Sequence, residues 1–539
     1  MDDPNKVEDV KLTAAGRYAQ FEQLREPFLR RARDCAKVTL PYLIPPNGHK
    51  ATSDLYTPYQ SLGSRGVNNL AAKLLVTQLP PNSPFFRYTV SDKAAAELQA
   101  QGVDAKQGKL DAALSKYERA IQKKIEAGGY RPVAFEMFKH EIVAGNVLLY
   151  MPKKGPSRIF SLDSYVVKRD SVGNILEIIT KERVSPLALP KEVRAAVPEK
   201  DHRGVEDDVD LYTWVKRTDD NWTSHQEVCD IVIEDTRGTY PLKNPAYLAL
   251  RWHAIAGEDY GRGYVEDYIG DLMSLEGLSQ AIVEGSAAAA RVLIMVKPGA
   301  ATTHRQITKA NSGDVLSGDI NDVGVLQLEK YADFRVAREV IEEISKRLSF
   351  AFLLNSAIQR NGERVTAEEV RYMAQELEAA LGGTYSVLSQ EFQLPFLKRV
   401  EYNMNASGEL PKLPEGFAEP AVITGIEALG RGHDLQRLRG LVQMIAELGP
   451  MAQTVMARLN VGEFLDRLAA AGGIDTVGLI KSEEEVQQDE QRQQQLQMMQ
   501  QAIPGAIQAA GGVAKQSIAN QGAAPAGPSD AAPSGPPSE

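Results

Sequence analysis

One uninterrupted stretch, residues 265–291, constrains the fold of this chain more than any other part of the sequence. It contains no proline, and its only weak points are Gly270, Gly277 and Gly285. At about 1.5 Å per residue, the stretch predicts a helix roughly 40 Å long. It carries five acidic residues before any Lys or Arg: Glu266, Asp267, Asp271, Glu276 and Glu284. A long helix with charges of one sign predicts a surface that repels other anions.

A short insert and a second helical pattern follow directly. Residues 331–353 place apolar side chains at threes and fours, among them Phe334, Ile344 and Leu348, as an amphipathic helix does. Between the two helices, residues 292–297 and 324–328 have the composition of strands. The pattern predicts two helices that bracket a small, mostly β insert, residues 292–330.

The first half of the chain predicts a helical body with one β-rich part. Helical periodicity covers residues 13–39, 60–78, 94–127 and 133–144, and residues 85–90 have strand composition. From residue 146 to residue 252 the sequence changes to short runs of β-branched and aromatic residues separated by turn residues. We expect an antiparallel β subdomain there, with one of its strands at residues 227–234.

Beyond the second long helix the chain returns to helical patterns. Residues 354–365 interrupt the helix with asparagine and glycine, and Thr366 with Glu369 forms a capping-box pattern that begins another helix. Residues 425–501 predict a further helical region, which ends in a polar, Gln-rich helix. Residues 502–539 are rich in Gly, Ala, Ser and Pro and are expected to be disordered.

Composition bounds the possible functions. The chain has 539 residues, of which 43% are hydrophobic, enough for a large body of more than one lobe. Its formal net charge of −10 argues against a protein that grips nucleic acid over its whole surface, although it also fits an ordinary solubility charge. Cys35 and Cys229 lie far apart, so we expect no disulfide and a reducing cytoplasm. Neither a transmembrane run nor a secretory signal is recognisable.

Motif searches give no catalytic site. The sequence contains no GxxxxGK[ST], HExxH, CxxC or GxSxG pattern, and its seven histidines are scattered. Adjacent acids such as Glu206, Asp207 and Asp208 more often form a solvated face than a Mg²⁺ site. We therefore predict a protein that is not an enzyme, with no catalytic residues, no metal and no cofactor.

One loop has a composition typical of nucleic-acid contacts. Residues 355–371 place Asn355, Gln359, Arg360 and Arg364 around a glycine. Arginine and amide groups on such a loop can contact phosphates transiently. The alternative is a solvated connection whose arginines pair with neighbouring glutamates.

Several longer segments resemble one protein family. They are residues 43–46, 61–71, 79–86 and 359–370; the last has the sequence QRNGERVTAEEV. These segments are similar to those of the head-to-tail connector, or portal, proteins of short-tailed (podovirus-type) bacteriophages. The resemblance covers nearly the full chain in length and element order, up to about Pro504.

The resemblance implies a mixed α+β, predominantly helical portal fold with wing, stem, clip and crown, which assembles as a ring of twelve subunits around a central channel. The parts would follow the chain in order: wing or body 1–264, first stem helix 265–291, clip 292–330, second stem helix 331–353, channel loop 354–365, wing continuation with a long helix 366–424, helical crown or barrel 425–501, and the tail 502–539.

The resemblance also implies roles for individual side chains. The channel loop would contact DNA through Asn355, Gln359, Arg360 and Arg364. The stem would line the channel with Glu266, Asp271, Glu276, Glu284, Lys346 and Arg347. The clip would dock the tail or the motor through Lys297, His304, Arg305, Lys309 and Asp319.

The implied function is that of a structural subunit at a capsid vertex of the virion, assembled in the cytoplasm of the host bacterium, which conducts double-stranded DNA during packaging and ejection. The implied partners are further copies of the chain, double-stranded DNA, the terminase packaging motor, a tail adaptor, major capsid and scaffolding proteins and internal core proteins, with no membrane. Two alternatives remain. A capsid scaffolding protein would be nearly all helical, and a DNA-packaging enzyme would need a P-loop or a carboxylate–metal cluster.

Overall fold

The structure is a computed structural model. The chain divides into two compact units, Met1–His433 and Asp434–Glu539. The structure describes residues 13–50, 52–81, 84–91, 94, 107–196, 208–289, 293–299, 301–326, 331–354, 376–377, 379–382, 387–411, 413–414, 417–422, 440–445, 447, 464–465 and 491–493. The elements below all belong to the first unit.

Helices occur along the first part of the body, as the helical periodicity of the first half predicts. They are α1 (Ala14–Lys37), α2 (Leu62–Gln78), α3 (Gln107–Ala127), α4 (Tyr130–Ala144) and the short α5 (Lys191–Ala196). Thr13 begins α1 as its N-cap, because its side-chain hydroxyl accepts a hydrogen bond from the Gly16 amide at 3.2 Å. The helix α4 lies at the centre of the body, where every residue from 137 to 149 is buried.

The predicted antiparallel β subdomain is confirmed, as two sheets. A five-stranded sheet contains β4 (Tyr165–Arg169), β5 (Ile175–Val184), β6 (Val209–Arg217), β7 (Asn221–Val228) and β8 (Ile231–Pro241), in that order. A three-stranded sheet places β2 (Asn146–Tyr150) between β3 (Arg158–Phe160) and β9 (Tyr247–Arg251). Neighbouring strands are antiparallel throughout both sheets. The helix α1 covers one face of the larger sheet, where Tyr18 and Phe21 pack with Val166 and Ile179.

The prediction of one strand over residues 227–234 is wrong, because a hairpin turn divides that segment. Cys229 and Asp230 have φ angles of 48° and 64°, and they join the end of β7 to the start of β8. Two central residues with positive φ give a turn whose twist matches that of antiparallel strands. A Cys-Asp pair lacks the Asn-Gly or Asp-Gly signal of such turns, so composition alone did not reveal it.

Two long helices bracket the insert, as predicted. The first begins with α6 (Tyr264–Asp267) and continues, after one irregular residue at Tyr268, as α7 (Ile269–Ala289). The second is α9 (Tyr331–Ala351). We count α6 and α7 as one long helix, and we call this helix and α9 together the helix pair. Among the described residues of the insert, β10 (Leu293–Val296) pairs antiparallel with β11 (Val323–Leu326).

The insert is not mostly β, which corrects the sequence interpretation. A short helix, α8 (His304–Lys309), lies between its two strands, together with a single 3₁₀ turn at Ile320–Asp322. Thr303 begins α8 with a capping box, since the Thr303 amide donates a hydrogen bond to the side chain of Gln306 at 2.8 Å. The rest of the described insert is turn and irregular chain.

The chain then returns to the body. A π-helical turn, Ser389–Gln393, leads directly into α10 (Leu394–Ser407), which ends at Gly408 with a φ of 74°. The last strand among the described residues, β12 (Ala418–Val422), pairs antiparallel with β1 (Phe86–Val90). The predicted capping box at Thr366 and Glu369 lies outside the described residues.

The close approach at Gly145 offers a test of this packing. Gly145 ends α4 with a φ of 69°, and a Cβ there would lie 2.2 Å from the carbonyl carbon of Arg262. Gly129, at the other end of α4, has a similar φ of 67° but nothing within 4 Å. Gly129→Ala should therefore cost about 1 kcal/mol of unfolding free energy from backbone strain alone. Gly145→Ala should cost about 3 kcal/mol or more, because backbone atoms must also move.

Urea unfolding of the two variants, followed by circular dichroism, measures both losses. Equal losses would contradict the close approach of α4 to the segment before the helix pair.

Candidate site: the helix pair, its insert and the loop ends

The helix pair packs through apolar side chains close to the body. Leu272 and Leu275 of α7 are buried in the same core as Ile344 and Leu348 of α9. Nearer the insert, a Cβ on Gly285 would lie only 2.9 Å from the ring of Phe334. The glycine that weakens the helical pattern at this point therefore allows the two helices to approach each other closely.

Glu266 is placed at the start of the first helix and is held by two arginines. Its Oε1 atom lies 3.1 Å from Nη1 of Arg262 and 3.1 Å from Nε of Arg31. Arg31 is on α1, so this carboxylate joins the helix pair to the first helix of the body. A charge neutralised in this way contributes little to a long-range repulsive field.

Glu276 is buried, with 7% of its surface exposed. Its carboxylate accepts hydrogen bonds from the Tyr56 hydroxyl at 2.5 Å, the Tyr59 amide at 2.8 Å and the Gln60 amide at 3.2 Å. The hydrogen bond from the Tyr56 hydroxyl to Glu276 raises the pKa of Tyr56 to about 12, because only the neutral phenol can donate to the carboxylate. Glu276 thus fixes the segment before α2 against α7.

Asp271 and Arg347 connect the two helices. Nη2 of Arg347 lies 2.8 Å from Oδ1 of Asp271, and Nη1 lies 3.5 Å from Glu343 on the same helix. Arg347 is more than half exposed. Lys346 is exposed as well, and so is Glu284, which accepts hydrogen bonds from Tyr59 and Gln280. The structure therefore brings Asp271 and Arg347 together, and it leaves Glu284 and Lys346 at the surface.

An apolar face of the helix pair is uncovered in the single chain. Val336 is 58% exposed and Val340 is 41% exposed, one turn apart on α9. Phe350, 78% exposed, returns to the same side of α9 about four turns after Val336, beyond the exposed ion pair of Glu343 and Arg347 on that side. This face lies about 100° around the helix from the buried side chains that pack on α7. Met273 and Val283 of α7 are also exposed.

The insert presents nearly all of its described residues to solvent. Each predicted docking residue is exposed: Lys297, His304, Arg305, Lys309 and Asp319. Asp319 also accepts a hydrogen bond from the Asn321 amide at 2.9 Å, which shapes the turn before β11. Exposed apolar side chains lie among them, including Ile294, Val315 and Ile320.

The predicted channel-loop residues Asn355, Gln359, Arg360 and Arg364 lie outside the described residues, which resume at residue 376 after Leu354. Nζ of Lys73 donates to the Leu353 carbonyl at 3.1 Å and pairs with Glu376 at 2.8 Å. One side chain of α2 thus contacts the chain before and after the loop. Sequence reasoning missed Lys73. The only signal in the sequence is a lysine among the apolar residues of α2, and the structure shows that its side chain is buried, with 6% exposed.

Two further properties concern chemistry and membranes. The described part of the chain contains no group of His, Cys, Asp or Glu side chains arranged to hold a metal ion. No helix among the described residues is both long enough and apolar enough to cross a bilayer.

Comparison with known proteins gives a family. The chain matches the family described as bacteriophage head to tail connecting protein over residues 11–480. It is 41% identical to the portal protein of Escherichia phage T7 over 512 residues, which cover 93% of this chain and 94% of that protein. It is 42% identical to the portal protein of Enterobacteria phage T3, with 88% and 89% covered, and 33% identical to that of Pseudomonas phage phiKMV, with 89% and 94% covered.

Among solved structures, a chain from the neck of an empty GTA particle aligns over 70% of this chain and 86% of that chain. The TM-score is 0.32 and the identity 10%.

The chain belongs to the bacteriophage head-to-tail connecting protein family. Within that family its relatives are the portal proteins of short-tailed phages, and the resemblance predicted from the sequence is confirmed. The predicted location in the virion, at the head–tail junction, is confirmed with it.

The hydrogen bonds at Glu276 lead to a prediction with a matched control. Glu276→Gln keeps the shape of the side chain but presents an NH₂ group to donors that need an acceptor. We expect a loss of about 2 kcal/mol in unfolding free energy. Glu284→Gln removes the same charge at an exposed position of the same helix and should change the unfolding free energy by less than about 0.5 kcal/mol.

Urea unfolding measures the two losses. Limited proteolysis should also cut residues 52–60 faster in Glu276→Gln than in Glu284→Gln. Equal stability and equal cleavage of the two variants would contradict the structural role of Glu276.

Proposed function

We propose that the chain is a structural portal subunit that forms a ring of twelve copies at a capsid vertex and conducts double-stranded DNA during packaging and ejection. The helix pair is the stem around the channel, the insert is the clip, and residues 354–365 are the channel loop. The body is the wing, and residues 425–501 are the crown. The portal relatives over most of the chain favour a structural subunit over a packaging enzyme, and the antiparallel sheets of the body favour it over a scaffolding protein.

The uncovered apolar face on the helix pair is the observation that carries this proposal. Val336, Val340 and Phe350 would lose unfavourable contact with water if a neighbouring copy covered them. The face lies beside the buried contacts between α7 and α9, so a neighbour bound there is displaced sideways from the pair. Repeating a sideways contact between different faces of identical subunits generates a closed ring when the rotation closes.

Charge along α7 supports passage of DNA through such a ring. The helix carries Asp271, Glu276 and Glu284 and no basic residue. Because Glu276 is buried, exposed acids such as Glu284 would supply the repulsion that keeps phosphates from binding. Lys346 and Arg347 on α9 would provide weak contacts that slow DNA without trapping it.

The insert, as the clip, would bind proteins outside the ring. Exposed charged and apolar side chains on the insert, together with short strands, suit docking first of the terminase motor and then of the tail adaptor. Major capsid, scaffolding and internal core proteins are the proposed partners of the wing and the crown.

The ring interface can be tested at its apolar face. The double variant Val336→Asp and Val340→Asp should leave the folded subunit intact, because both side chains are exposed in the single chain. It should prevent ring assembly, since two charges at each interface would be buried without partners. Analytical ultracentrifugation should show rings for the wild type and single subunits for the variant.

Val172→Asp is the control, because Val172 is 85% exposed in a turn of the larger sheet. It should leave rings intact. Rings of unchanged size from the double variant would contradict this interface.

DNA retention tests the channel loop. Arg360→Gln with Arg364→Gln removes two proposed phosphate contacts, each worth about 0.2–1 kcal/mol if exposed. We expect filled capsids to lose DNA several-fold faster, measured as nuclease-sensitive DNA over time. Lys154→Gln with Arg183→Gln, at exposed positions of the body, is the charge-matched control. Unchanged retention in the loop variant would remove the proposed role of these arginines.

A further inference from the structure

A cavity of about 610 Å³ lies where the body meets the start of the helix pair. Its walls come from the end of the β subdomain, from α6 and from the returning chain. The lining residues are Trp252, His253, Ile255, Arg262, Gly263, Tyr264, Glu266, Asp267, Tyr268, Ala380 and Leu381. Its volume is in the range of sites that bind small molecules, about 300–1,000 Å³.

Aromatic rings form one wall of the cavity. The ring centroids of Trp252 and Tyr264 are 5.6 Å apart, and those of Tyr264 and Tyr268 are 5.1 Å apart. The Tyr264 hydroxyl donates a hydrogen bond to the Ala351 carbonyl at 2.8 Å, which fixes its ring in place. The electron-rich faces of such rings attract organic cations.

The arginines at the cavity are already neutralised. Arg262 lies 3.2 Å from Glu258 and 3.1 Å from Glu266, and Arg31 lies 3.1 Å from the same oxygen of Glu266. Two positive and two negative charges therefore cancel. Of the two acids that line the cavity, Glu266 and Asp267, only Asp267 is left without an arginine among the described ion pairs.

Asp267 faces the cavity without a cationic partner among the described ion pairs of the chain. Burial raises its pKa, and His253 partly offsets that rise. A carboxylate that is partly removed from water and next to aromatic rings gains free energy when a cation approaches it. The neighbouring acid, Glu266, cannot serve, because its two arginines occupy it.

We propose that this cavity binds an organic cation, with an alkylammonium group paired to Asp267 and an alkyl chain lying along Trp252, Tyr264 and Tyr268. A short linear diamine has this chemistry. A metal ion fits less well, because a single free carboxylate among aromatic rings does not supply the oxygen ligands that hard cations need. An anion would meet the remaining negative charge. The proposal does not depend on ring assembly.

Isothermal titration of the full chain with 1,4-diaminobutane at constant ionic strength tests the proposal. We expect saturable binding to the wild type, and binding at least about tenfold weaker in Asp267→Asn, which loses the ion pair. Asp220→Asn removes the same charge from an exposed loop and should bind as the wild type does. 1-Butanol, which lacks the charge, should not bind.

A second variant separates the aromatic contribution from folding. Tyr268→Leu keeps an apolar wall but removes the ring, and it should weaken diamine binding several-fold. Melting temperatures measured without ligand show that each variant is folded, and 1,4-diaminobutane should raise the melting temperature of the wild type but not of Asp267→Asn. Absence of saturable binding to the wild type, or equal affinity in a folded Asp267→Asn, would overturn the proposal.

Discussion

The contact between Phe352 and the backbone of α2 holds the candidate site to the body. Phe352 has no exposed surface, and a Cβ on Gly66 would lie 2.5 Å from its ring. Asn69, one turn later on α2, donates hydrogen bonds to the carbonyls of Phe352 and Leu353 at 2.9 and 3.0 Å. Lys73, a further turn along, bonds Leu353 as well. One face of α2 therefore fixes the direction in which α9 leaves the body, and with it the position of the helix pair and of the following loop.

The acids of the first long helix differ in what holds their charges. Glu266 and Glu276 are held by arginines of the body or by donors of the segment before α2, so they anchor the helix. Asp271 is held by Arg347 across the pair. Glu284 stays exposed, towards the insert. The negative charge that could act on DNA is thus smaller than the composition of the helix indicates, and it lies away from the body.

Sequence patterns predicted the parts of the fold that depend on local physics. The absence of proline and the spacing of Ile344 and Leu348 were enough to predict the helix pair. Short runs of β-branched and aromatic residues separated by turn residues were enough to predict the antiparallel subdomain. The hairpin at Cys229 was missed, because its positive φ angles are imposed by strand pairing and not by the residue type. The burial of Glu276 was also missed, since its partner segment is remote in sequence. Lys73 could not be recognised for the same reason: its two contacts lie on either side of a loop some 280 residues further along.

The central claim is that the helix pair surrounds an axial channel in a ring of identical subunits. Cryo-electron microscopy of the purified full-length chain measures this directly. The account predicts closed rings with a central hole, with α7 and α9 of every subunit around the hole and the face of Val336 and Val340 covered by the neighbouring copy. Single subunits, filaments, or rings with the helix pair on the outer rim would contradict it.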